Sequence, residues 1–151
     1  MAIAITLHLL ATVVWVGGMF FAYMALRPVA ASLLEPPQRL PLWSQVFARF
    51  FPWVWAAVII LLATGLWMVF SQFGGFAHVA PYIHMMAGLG MVMMLLFMHV
   101  FFAPYRRLKQ ALAAGDVPEA GRRLGQIRII IGINLLLGIL VTVIAGAGKY
   151  L

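Results

Sequence analysis

Val79 to Phe102 reads VAPYIHMMAGLGMVMMLLFMHVFF, and this run decides the fold. It holds no lysine, arginine, aspartate or glutamate, and it exceeds the roughly 20 apolar residues that a helix needs to cross a hydrocarbon core about 30 Å thick. Polar and apolar residues do not alternate along it, so it is a membrane helix rather than a barrel strand; a helix satisfies its own backbone hydrogen bonds in lipid. Working outward from 79–102, three more segments qualify, at about 3–26, 52–70 and 129–147. The fold class is therefore all-α, an integral membrane four-helix bundle forming one domain over 1–151. Composition agrees: 66% of residues are hydrophobic, 9% are charged and mean hydropathy is +1.08, which leaves too little polar surface for a water-soluble domain. The first segment has no basic residue ahead of its apolar stretch and carries Trp15, Gly17 and Gly18 in mid-span, so it is expected to be a retained helix and not a signal peptide.

The loops set the orientation. Arg27, Arg39 and Arg49 lie between the first two helices, and Arg106, Arg107, Lys109, Arg122, Arg123 and Arg128 between the last two. The stretch Ser71–His78 has no basic residue and the C-terminal end only Lys149. Basic loops stay in the cytoplasm, so the bundle is expected to be N-out/C-out, with both termini facing the periplasm or exterior. Because the basic residues sit in the gaps between apolar runs, the formal charge of +7 reflects topology and lipid headgroup contact, and no nucleic-acid partner is implied.

The inner loops carry helical patterns of their own. Leu40, Trp43, Val46, Phe47 and Phe50 recur at helical spacing over 38–51, which predicts an amphipathic helix in the membrane interface before Pro52 opens the second span. The segment 104–126 is expected to prolong the third helix from Pro104 to Ala114 and stop at Gly115. Asp116 then caps the fourth helix, with Glu119 three residues on and Pro118 in the first turn.

Polar groups buried in lipid are costly and tend to mark sites. His8 lies about 7 Å inside the outer boundary by helical rise, and His84 lies at a similar depth on the third helix. With His78 in the adjoining loop, His8 and His84 are the candidate ligands of one centre near the outer leaflet. His99 sits about 22 Å further along the third helix, too far to share that centre, and it would need a second histidine at its own level. Trp15 and Gly18 share a stripe with His8, Ala11 and Ala22, while Asn134, Gly138, Thr142 and Gly146 recur every four residues on the fourth helix. Small residues at that spacing suit close helix packing or a flat guest between helices. Met91, Met94 and Met98 share a face of the third helix, and thioethers bind Cu(I); methionine is equally an apolar filler. With no cysteine, no paired intramembrane carboxylates and no phosphate-binding loop, hydrolysis and phosphoryl transfer are set aside.

The runs LHLLATVVWVGGMFF (Leu7–Phe21), ATGLW (Ala63–Trp67) and IRIIIGINLLLG (Ile127–Gly138) resemble the copper-resistance D (CopD) family of bacterial membrane proteins. The four-helix plan and the histidine ahead of W-x-G are similar to the HemJ-type protoporphyrinogen oxidases. That second family carries a lysine in its third helix where this chain has none, a departure that speaks against oxidation of protoporphyrinogen. The resemblance implies a bacterial inner-membrane bundle with haem b or copper as guest, with His8 matching the helix-one histidine and His84 and His99 the third-helix histidines. The leading expectation is a haem b redox protein passing electrons to a quinone or a redox partner protein, with His8, His84, His99, Trp15, Gly18 and Asn134 around the cofactor. The alternatives are a copper-handling protein using His8, His84 and His78, and a cofactor-free membrane subunit. A homo-oligomer is compatible with each.

Overall fold

The computed structural model describes residues 1–150, and its four long rods are Ala2–Leu33, Pro36–Phe73, Pro81–Ala113 and Val117–Tyr150, each apolar enough to span a membrane. In detail the elements are α1 (Ala2–Phe21), a π-helical turn (Ala22–Leu26), α2 (Arg27–Leu33), α3 (Pro36–Phe73), a short 3₁₀ turn (Phe76–His78), α4 (Pro81–Phe102), α5 (Pro104–Ala113) and α6 (Val117–Ala147), closed by a 3₁₀ turn at Gly148–Tyr150. There is no strand among the described residues. The chain is a multi-pass membrane protein. α1 packs chiefly on α3 and α4 chiefly on α6, while α5 lies along α6.

The π turn has a local cause. Pro28 has no backbone N–H to give to the carbonyl four residues back, so the helix widens ahead of it, and the Arg27 N–H bonds to the Ala22 carbonyl instead. The Arg27 guanidinium sits 4.7 Å from the centre of the Tyr23 ring.

α3 runs unbroken for 38 residues with Pro41 and Pro52 inside it, so the separate interfacial helix expected over 38–51 is instead the first part of the second span. Phase explains the difference. Leu40, Trp43, Phe47, Phe51, Val54 and Val58 are all buried, and their spacing of three and four carries one stripe straight past Pro52. An interior proline costs about 3 kcal/mol, but each large apolar side chain buried on that stripe returns about 1.5–3 kcal/mol where water is the alternative. At 1.5 Å per residue such a helix is about 57 Å long, far more than the hydrocarbon thickness of about 30 Å.

The first part of α3 is held by aromatic packing. Phe47 stacks on Phe51 at 5.0 Å, and Tyr105 sets its edge against Phe51 at 4.9 Å and against Phe47 at 5.9 Å. Tyr105 belongs to α5, which is not the expected continuation of the third span. The chain breaks at Ala103 (φ −112°, ψ −88°) and restarts at Pro104, so that Tyr105, Leu108 and Ala111 turn inward while Arg106, Arg107 and Lys109 stay exposed. Burial of Tyr105 raises its phenol above the ordinary tyrosine value. Gly115, at φ +69°, makes the reversal into α6. Asp116 Oδ1 then accepts the Glu119 N–H at 3.1 Å. Glu119 does not return the bond that a full capping box requires; its carboxylate instead accepts from Arg122 (2.9 Å) and Arg123 (2.6 Å), which hold it down at about 2. At the opposite end of the bundle Gly148 lies against the Tyr82 ring, so the C-terminal turn meets the start of α4.

Candidate functional site

His8 is the one histidine that the bundle partly encloses; His78, His84 and His99 are all exposed. Its Nδ1 lies 2.8 Å from Thr64 Oγ1 on α3. Thr64 is buried, and its hydroxyl is 2.6 Å from the Ile60 carbonyl in the preceding turn. A carbonyl can only accept, so the single Thr64 hydrogen goes to Ile60 and Oγ1 is left to accept from His8. The imidazole therefore carries its proton on Nδ1, and Nε2 keeps an unused lone pair. Gly65, beside Thr64, also faces the ring, and a Cβ there would meet His8 Cε1 at an ordinary contact distance of 3.5 Å.

The other candidates are not gathered around it. His84 has the Phe76 ring as its aromatic neighbour, 6.2 Å between centroids, and His78 ends the 3₁₀ turn on the other side of the short loop. His99 stands in the last turn of α4, and its carbonyl accepts the Ala103 N–H at 3.0 Å. No group of three or more His, Asp or Glu side chains able to hold a metal occurs among the described residues. The face shared by Met91, Met94 and Met98 is divided by burial, with Met94 inside, Met91 exposed and Met98 between.

Trp15 and Asn134 meet at the bundle centre. Both line a small void with about 20 Å³ of space for a water's centre, together with Met19, Phe50, Phe51 and Phe97. Asn134 Nδ2 donates to the Met93 carbonyl at 3.2 Å, and its Oδ1 is buried with no partner. An orphaned acceptor of this kind costs about 1–3 kcal/mol. The glycines at this level serve packing. A Cβ on Gly18 would collide with the Phe50 ring, and one on Gly138 would come within 2.9 Å of Val16. Thr142 bonds within its own helix, to the Gly138 carbonyl at 2.8 Å.

This interior does not fit a haem. Cofactor sites run to about 300–1,000 Å³, the central void is far smaller, and the stripe expected to admit a flat guest is filled by Phe50 and Val16. His8 is closed onto α3, and neither exposed α4 histidine is its hydrogen-bond partner. The residues that sequence reasoning missed are Thr64, Gly65 and Met19. Thr64 and Gly65 stood in the quoted ATGLW run, and a hydroxyl in mid-span was the available signal.

Fold and site together define a small four-span membrane protein with one anchored intramembrane imidazole. The sequence profile of the family described as Copper resistance protein D matches residues 44–147, more than half of the chain, and the protein belongs to that family. The match covers most of α3 and all of α4, α5 and α6; α1 with His8 lies before it. No curated protein and no solved structure gives a match.

Proposed function

We propose that this protein handles copper within the membrane and that His8 Nε2 is its first ligand. The carrying observation is the relay from His8 through Thr64 to the Ile60 carbonyl, 2.8 Å and 2.6 Å long. Histidines that ligate metals regularly donate their other ring N–H to a fixed acceptor, which sets the tautomer and strengthens the ligand. Imidazole suits copper, and the family description names copper as the element concerned. One anchored ligand with open positions around it suits cargo that arrives and leaves better than a metal locked in place. Electron transfer through haem loses its support here, because the interior offers the macrocycle no slot.

The test is a Cu(I) titration of the purified chain in mild detergent against a competing chelator. The wild type should take up copper, and His8→Ala should weaken that binding at least tenfold, while His99→Ala leaves it unchanged. Folding of each variant is checked by circular dichroism. A wild-type protein that binds no copper, or that shows a Soret band after haem is supplied during expression, would overturn the proposal.

A further inference from the structure

α4 turns Met93, Met94, Phe97 and Val100 inward and leaves its opposite side uncovered. On that side His84, Gly88, Met91 and Leu95 follow one another at spacings of four, three and four, and each is exposed. They form a single line along the helix. α4 is about 33 Å long by helical rise, little more than a core about 30 Å thick, so His84, three residues past Pro81, falls just inside one surface of it. The outward side chains of the other spans at mid-membrane are apolar, among them Val14 of α1, Ile59 and Leu66 of α3, and Ile133 and Leu136 of α6. A neutral imidazole has one N–H to give and one lone pair to fill. Hydrocarbon chains offer a partner for neither, and the Phe76 ring, 6.2 Å from His84 between centroids, has no lone pair or N–H to lend. Gly88, one turn on, has open space around it. A Cβ there would meet nothing within 4 Å, so packing inside the chain gives no reason for a glycine.

We propose that this side of α4 is the interface with a second copy of the chain, the two related by a twofold axis along the membrane normal. Copies inserted in one orientation run parallel, so a residue on the axis meets itself at its own depth. His84 then meets His84. The pair is self-complementary, because one neutral ring donates its N–H to the lone pair of the other. Gly88 lets the two backbones close on each other one turn from that pair, and Met91 and Leu95 continue the contact. No lysine, arginine, aspartate or glutamate interrupts it. A second copy is the occupant these features select, since lipid chains would leave His84 without a partner and would pack as well on a larger residue at position 88. His8 is closed onto α3 and stands outside this face, so the interface is independent of the copper reading.

The chain has no cysteine, which makes single thiols clean reporters. Met91→Cys, on the proposed interface, and Leu136→Cys, on the exposed side of α6, are compared in the membranes of the expressing cells after oxidation with iodine. Met91→Cys should run as a disulfide-linked dimer and Leu136→Cys as a monomer. Energy transfer between donor-labelled and acceptor-labelled chains in lipid vesicles reads the association itself. Gly88→Leu, whose side chain has free room within its own chain, should weaken it at least tenfold, and His84→Phe should do likewise. Circular dichroism checks the fold of each variant. Equal cross-linking at the two positions, or none at Met91→Cys, would overturn the interface. Association unmoved by both Gly88→Leu and His84→Phe would do the same. Should either variant fail to fold, the cross-linking pair decides.

Discussion

Thr64 shows how far a single residue can be read from sequence. A threonine inside a membrane span usually bonds back to its own helix, as Thr142 does to Gly138, and nothing in the chain marks Thr64 as different. Only the approach of α1 to α3 reveals that its oxygen also receives His8. His8 itself was legible, because an ionisable side chain in lipid needs a reason; its pairing with His84 was not, because depth along a helix says nothing of which way the side chain faces. The relay makes a sharp expectation. Thr64→Val keeps the shape but removes the acceptor, so His8 is free to carry its proton on Nε2, and copper affinity should fall about 10–100-fold. Thr64→Ser should restore it. Nitrogen-15 spectra of histidine-labelled protein should show the Nδ1–H form at His8 in the wild type and in Thr64→Ser, and its loss in Thr64→Val. Retention of that form in Thr64→Val would disprove the relay.

Among the elements, the long apolar runs could be read directly, and their internal joints could not. Pro52 and Pro104 look alike as stop signals, yet α3 continues through the first and the chain turns at the second. The difference lies in partners. Across Pro52 the buried stripe stays in phase, whereas a straight continuation at Ala103 would carry Tyr105 away from Phe47 and Phe51. Pro52 is exposed, so its ring contributes little packing and its missing N–H is a plain loss. Pro52→Ala should therefore leave the helix continuous and raise the thermal midpoint, read by circular dichroism in detergent, with a gain of up to about 3 kcal/mol. A lowered midpoint would mean that the proline shapes α3 in a way the packing does not reveal. At the start of α6, Glu119 is held at about 2 by Arg122 and Arg123. A depressed carboxylate contributes stability above its unfolded value and loses it as pH falls toward the folded one. Acidification from pH 7 to 5 should accordingly leave the pair intact, and Glu119→Gln should lessen the pH dependence seen below that window.

At the scale of the whole molecule the charge map points to one orientation. Every basic residue except Lys149 belongs to α2, the first part of α3, α5 or the first part of α6. Basic segments flanking short loops stay in the cytoplasm, which would place Tyr105, Glu119 and the aromatic cluster inside the cell and His8 near the outer face. A reporter active only in the cytoplasm should then be active when inserted at Gly115, in the turn between α5 and α6, and silent when fused after Tyr150. The outcome also fixes the side from which the proposed ligand His8 would take copper, which on this orientation is the outside. The opposite reporter pattern would put His8 on the cytoplasmic side, and copper would then be taken from within the cell.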